Sequence, residues 1–305
     1  MTDIIVVSYS ELDTFRQCPL KHHILYGQRW TKPPKPGGAL DKGGLYHKVM
    51  EEHYRLIKAY QDLHHGKNPR EGSEEEVDLL AACKQAILDI LWDPQRGAYY
   101  NETAELIMWM YEGHVSNYGT MPEWRILGVE HQIVTPLRDD RGYRSRFHLK
   151  AKIDLLIKNR QTGGRWVVDH KSGGNLPTDM DLEIDDQFGL YTWAMNEVGR
   201  PVTGSLHAAN RTQRNKGPMT LDSRMKLTYL NRDKVELVNI ALDAYHAARA
   251  AYPPKSAPVS RYSSPDPRQC GWKCDLKEPH LLMRRGRNPA EVLIEYGFKI
   301  DRTRH

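Results

Sequence analysis

The chain is short of several things. It has no apolar run that approaches the length of a membrane span, and its mean hydropathy is −0.68. Its first residues, "MTDIIVVSYSELDTF", lack a basic opening followed by a long apolar stretch, so they do not read as a signal peptide. A cytoplasmic location and no membrane partner are therefore the expectation. Internal repeats and long low-complexity segments are missing too. Cysteine is scarce: Cys18, Cys83, Cys270 and Cys274 are the four in 305 residues. For a cytoplasmic chain, structural disulfides are not expected.

The charge that is present is unevenly placed. The net charge is +5, but residues 205–305 carry 19 Lys and Arg against 10 Asp and Glu, while residues 1–204 carry 25 against 29. A basic C-terminal third beside an acidic remainder suits a polyanionic partner, and solvated surface charge would give the same count.

The hydrophobic pattern divides the chain. After a Pro/Gly-rich loop over Thr31 to Gly44, helices are expected from about Leu45 to Tyr60, from a capping box at Ser73 and Glu76 to about Trp92, and from Glu102 to Tyr118. Strands then dominate: Arg125 to Leu137, Tyr143 to Asn159, and the run "RWVVDHK" after a Gly turn. A helix from about Leu182 to Glu197, two further strands ("VTGSLHAANR" and "RMKLTYL") and a helix from Asp233 to about Tyr252 follow. A Pro/Ser-rich linker leads to Cys270, Cys274 and a basic tail. Strands flanked by helices indicate an α/β fold with a mixed sheet.

The stretch "RWVVDHKSGG", Arg165 to Gly174, carries a carboxylate to the end of an apolar strand and sets a lysine two positions later. Strand alternation puts Asp169 and Lys171 on one face and His170 on the other. On these residues alone a plain ion pair is the favoured reading, and a metal-binding carboxylate beside a working cation is the alternative. Three other elements bear on the choice. "GGLYHKVMEEHY" puts His47 and Glu51 at i and i+4 on a helix. "KAKIDLLI" sets Asp154 in the preceding strand, 15 residues before Asp169, a spacing that suits an antiparallel hairpin. "QFGLY" puts Gln187 and Tyr191 at i and i+4 on the next helix. Two converging carboxylates repel unless a cation or proton lies between them, and oxygen donors favour Mg²⁺ or Mn²⁺, an imidazole from His47 tilting the choice toward Mn²⁺.

This order of motifs resembles the RecB/AddB-like branch of the PD-(D/E)xK nuclease superfamily, similar to CRISPR-associated and phage-encoded iron–sulfur exonucleases. The matching residues are Gly43 or Gly44 with His47, then Asp154, then Asp169 and Lys171, then Gln187 and Tyr191. The opening "SYSELDTFRQCPLKHHILYG" matches as well, and Glu130 resembles the acid that begins the strand ahead of the Asp154 hairpin. Ala151 stands where a glycine is often found. The resemblance implies a restriction-endonuclease-like α/β core, a mixed central sheet flanked by helices, with an N-terminal helical insert. Residues 1–305 would form one nuclease domain, with the insert over 45–120, the core over 121–252, and the linker, cysteine loop and basic tail over 253–305. It also implies a metal-dependent DNA exonuclease, acting on single-stranded ends in recombination, repair or phage DNA processing. His47, Asp154, Asp169 and the His170 backbone carbonyl would hold Mg²⁺ or Mn²⁺. Lys171 would serve the water, and Gln187 and Tyr191 would position the DNA backbone or the Lys171 end. Glu51 and Glu130 are accessory candidates.

In many relatives an N-terminal cysteine and three C-terminal cysteines hold a [4Fe–4S] cluster. Cys18, Cys270 and Cys274 match, but the last position is His280, so a structural zinc site or no metal at all are alternatives. Cys83 reads as an ordinary buried helix thiol. No Walker A pattern is present, so no helicase is expected in this chain. The rival readings are a non-catalytic DNA-binding or assembly subunit and a structure-specific endonuclease of the same superfamily.

Overall fold

The computed structural model describes residues 3–92, 101–213, 224–253, 270 and 274–301. They fall into two compact units. The first comprises residues 1–33, 134–150 and 239–305, and the second comprises residues 34–133 and 151–238.

The second unit holds three long helices and most of a mixed sheet. Helix α3 (Ala39–Leu63) buries Leu45, Tyr46, Val49, Met50, Tyr54 and Ile57, a stripe at helical spacing. Helix α4 (Glu74–Leu91) starts at Ser73, whose hydroxyl accepts from the Glu76 N–H. The expected reciprocal box does not close, because the Glu76 carboxylate accepts from the Gly72 N–H and the Thr120 hydroxyl instead. Helix α5 (Asn101–Tyr118) completes the group. Ile57, Ile87, Ile107 and Leu155 lie in one shared core.

Strands β3 (Trp124–Arg138) and β4 (Arg144–Asn159) pair with each other, and both run through the two units. In the second unit β4 pairs antiparallel with β5 (Arg165–Gly173), in a register that sets Leu155 opposite Val168. β5 runs parallel to β6 (Gly204–Arg211), and β6 pairs antiparallel with β7 (Met225–Leu230). Residues 204–210 of β6 are all buried, the mark of a strand covered on both faces. Buried Gln61 of α3 pins the helix to β3, donating to the Trp124 carbonyl and accepting from the Ile126 N–H.

The expected helix over Leu182 to Glu197 is two helices, α6 (Asp179–Glu183) and α7 (Asp186–Glu197). The break has a local cause: Thr178 and Asp181 form a capping box for α6, and Asp185 caps α7 by accepting from the Gln187 N–H.

The first unit has elements the hydrophobic pattern did not announce. β1 (Ile5–Ser8) runs parallel to the opening of β4, Ile5 opposite Phe147. Ser8 caps α1 (Tyr9–Gln17), and Cys18 then caps the short helix α2 (Pro19–His22). The two-residue strand β2 (Trp30–Thr31) pairs antiparallel with β8 (Lys299–Ile300), which ties the two ends of the unit's sequence together. The C-terminal segment, expected as a cysteine loop and basic tail, forms helices over Lys277–Arg284 and Pro289–Glu295. Leu276, Met283, Val292, Leu293 and Phe298 pack there with Leu20, Ile24 and Trp30. The helix expected from Asp233 spans Lys234–Ala251. The linker expected after Tyr252 lies largely outside the described residues. Among the described residues, no helix is long and apolar enough to cross a membrane.

Candidate active site

The β4–β5 hairpin, α3 and α7 bring His47, Asp154, Asp169, Lys171 and Gln187 into one polar network within the second unit. On β4, Ala151, Ile153 and Leu155 are fully buried on one face, which leaves Lys152 and Asp154 sharing the other. The Asp154 Oδ2 accepts from the His170 backbone N–H at 2.8 Å and lies 3.1 Å from the His47 Nδ1. Burial alone would raise the Asp154 carboxyl; the hydrogen bond and charge of His47, with the His170 N–H, hold it below the usual carboxylate range. Burial opposes a charged His47, yet its bond to Asp154 leaves its pKa raised.

Asp169 is 4% exposed. Its carboxyl is pushed up to about 6, first by burial, with Lys171 opposing and Asp154 adding repulsion. The Lys171 Nζ lies 2.8 Å from the Asp169 Oδ2 and donates to the Gln187 Oε1 at 3.1 Å. The Gln187 Nε2 in turn donates to the Asp169 Oδ1 at 3.1 Å. Gln187 thus closes a ring with both residues. Burial disfavours a charged Lys171, but Asp169 and Asp154 outweigh it and hold the ammonium above its ordinary pKa. Tyr191, one turn beyond Gln187, is buried, and that burial, together with the Asp169 charge, raises its phenol.

His170 points away from this network. Its ring is stacked on Tyr54 at 5.4 Å and set edge-on to Tyr46 and His114. Burial pushes its pKa down to about 4. Its backbone N–H reaches Asp154.

The two accessory acids each pair with a cation, and both, with Asp154, raise the pKa of Lys152. Glu51 pairs with Arg55. Glu130, with a φ of 51° inside β3, pairs with Lys152, two residues from Asp154 on the same face. Lys152 went unnoticed in the sequence as a site residue. Its signal was available, since it stands at i−2 to Asp154 in a strand; its partner was not, because nothing local announces the backbone turn at Glu130.

Among the described residues no group of three or more His, Cys, Asp or Glu side chains is spaced to close on one metal ion. The two carboxylates are drawn onto His47 and Lys171 instead. The donor chemistry still fits a hard divalent cation: two carboxylates, the charge of Asp154 helping to raise the Asp169 carboxyl, and one imidazole.

In the first unit, Cys18, Cys270, Cys274 and His280 line one cavity of about 280 Å³. The Cys18 thiol is raised by burial and, more weakly, by the charges of Cys270 and Cys274, while the Lys21 N–H lowers it. None of the four cysteines forms a disulfide. Cys83 lies in the core of the second unit, its thiol pushed up to about 12 by burial.

The family model described as the PD-(D/E)XK nuclease superfamily matches residues 6–277. The chain belongs to that superfamily, and its mixed sheet flanked by helices is consistent with the superfamily's fold. A subunit of an ATP-dependent helicase/deoxyribonuclease from Moorella thermoacetica is 25% identical over 267 residues, covering 78% of this chain and 22% of that protein. The chain therefore spans about a fifth of the length of this relative. The crystal structure of SSO0001 shares 13% identity at a TM-score of 0.30, over 72% of this chain and 91% of that one.

Proposed function

We propose that the chain is a metal-dependent deoxyribonuclease of the RecB/AddB-like branch that removes nucleotides from single-stranded DNA ends. Recombination, repair and phage DNA processing are the settings such an activity fits, and a cytoplasmic location goes with them. The observation that carries this reading is the ring of Asp169, Lys171 and Gln187 set beside Asp154 and His47. The likeness to a helicase/deoxyribonuclease subunit supports the branch and supports work alongside a partner protein.

In this reading His47, Asp154, Asp169 and the His170 carbonyl hold Mg²⁺ or Mn²⁺. The bound ion supplies an activated water and offsets charge on the phosphate. Lys171 keeps a positive charge beside Asp169, where it stabilises negative charge building on the phosphate oxygens. Gln187 fixes where that ammonium points. Tyr191 backs Gln187 on the next turn of α7 and helps position the DNA backbone or the Lys171 end. Glu51 and Glu130 act at one remove, Glu130 by holding Lys152 beside Asp154.

Cys18, Cys270, Cys274 and His280 are read as the ligands of a [4Fe–4S] cluster, with zinc as the alternative that the imidazole favours. Their common cavity supports this reading.

End-labelled single- and double-stranded DNA, incubated with Mg²⁺, Mn²⁺ or EDTA, tests the function. Stepwise loss of end label from single strands, abolished by EDTA, is expected. Cutting of circular single strands would point to an endonuclease. Binding without cutting under any metal would point to a non-catalytic subunit.

A further inference from the structure

A second cavity in the first unit, of about 370 Å³, lies where β4 begins, against the helix Lys234–Ala251. It joins two arginines, Arg146 and Arg249, to three aromatic rings, Phe147, Tyr245 and Tyr252, and Asp139 and Ser145 complete its lining. The volume is in the range of small-ligand sites. The sequence around it is basic: between Val134 and Lys150 there are five Lys and Arg against two Asp.

What the local acids do is informative. The Asp139 Oδ1 accepts from the backbone N–H groups of Arg141 and Tyr143, which closes the β3–β4 turn. Asp140 pairs with His246. Glu11 is taken by the Tyr252 hydroxyl and by His22. Among the described residues, no carboxylate forms an ion pair with Arg146 or Arg249. Arg146 is held all the same: it donates to the Tyr252 carbonyl at 3.3 Å, and its guanidinium lies 5.0 Å from the Phe147 ring centroid. Tyr245 packs against that ring at 6.2 Å. The cavity therefore offers one pre-set guanidinium, one exposed guanidinium and an aromatic wall, so its two cations outnumber the one carboxylate, Asp139, in its lining.

Guanidinium groups suit phosphate oxygens, and an aromatic face beside them suits a base. The geometry points to a nucleotide-binding subsite for single-stranded DNA on this unit: Arg146 and Arg249 take a backbone phosphate and Tyr245 offers a face to a base. This rests on the DNA-nuclease reading above, and it deepens it by naming a strand contact that uses none of the metal-binding residues.

The test is binding of the full-length chain to a fluorescent oligo(dT) in EDTA, over a range of salt concentrations. Arg249→Gln should weaken binding several-fold and lower the slope of log affinity against log salt by about 0.7, one phosphate contact on a single strand. Tyr245→Leu, which keeps an apolar contact with Phe147, should weaken binding by about tenfold with the salt slope retained. Arg287→Gln serves as a charge control in the same unit, since Arg287 pairs with Glu295. Equal loss in Arg249→Gln and Arg287→Gln would mean that net charge alone is read, and would overturn the subsite. So would unchanged affinity and slope in Arg249→Gln. Loss of binding to dTMP or inorganic phosphate without loss for oligo(dT) would make the cavity a site for free nucleotide or phosphate and overturn the strand contact. Wild-type protein that binds no oligonucleotide would remove the DNA reading itself, whereas intact binding with normal variants would remove only the subsite.

Discussion

Lys171 donates to the Oε1 of Gln187 at 3.1 Å, while the other end of the same amide donates to Asp169. An amide is suited to this place because one end accepts and the other donates. Gln187 therefore orders the acid and the cation together, from a different element than the one that bears them.

Breaking this link should slow the chemistry more than it weakens binding. Gln187→Ala is expected to lower the single-turnover rate by about 10- to 100-fold, the usual cost of losing a partner that orients a ligand or working group. Rates and oligonucleotide affinity measured side by side check it. An unchanged rate at saturating DNA would leave Gln187 as helix packing only.

Lys171→Ala should reduce the same rate by at least about 100-fold, with affinity little changed, because one preorganised charge is lost at the reacting phosphate. Arginine should rescue poorly, since its planar fork cannot take the place of a compact ammonium between Asp169 and Gln187. Normal cleavage by Lys171→Ala at saturating DNA would remove it from the mechanism.

Acid should destabilise the second unit through its buried imidazoles. His53 is fully buried, its Nδ1 is 3.3 Å from the Tyr111 hydroxyl, and burial, then the His170 charge, pushes its pKa down to about 3. An unfolded histidine titrates at about 6.5. Between these values the unfolded chain binds the proton and the native chain does not. The stability is thus fully present above ~6.5 and is lost as pH falls toward 3. Urea midpoints should drop across that interval, and His53→Phe should show a shallower drop than wild type. Parallel curves would contradict the assignment.

Several of these features were legible in the sequence, and the reasons differ by residue. Asp169 and Lys171 could be placed on one face from strand alternation alone, and Gln187 and Tyr191 on one helix face from their spacing. Ser73 announced its helix. The break between α6 and α7 could have been read from Asp185, which caps α7, but the apolar spacing across it masked the cap. The C-terminal helices were missed because Leu276, Met283, Val292 and Leu293 are buried against Leu20, Ile24 and Trp30, more than 240 residues earlier in the chain. No local pattern reports such a partner. The Glu130–Lys152 pair was hidden for the same reason, since it depends on the backbone turning to a φ of 51°.

The cysteine cavity makes a separate prediction. Anaerobically purified protein should be brown and contain iron, and Cys18→Ala should lose both colour and metal while the second unit keeps its fold. Colourless protein with one zinc per chain would favour the His280-containing zinc site. Metal-free protein of unchanged stability would contradict both.

The most direct measurement is cleavage of end-labelled single-stranded DNA by wild type, Asp154→Ala and Asp169→Asn, each checked for native folding, with Mg²⁺, Mn²⁺ or EDTA. Wild type should release label only with a divalent ion, and both variants should fall to background with every metal. A folded Asp154→Ala or Asp169→Asn protein that cuts at the wild-type rate, or wild-type cutting that persists in EDTA, would contradict the account.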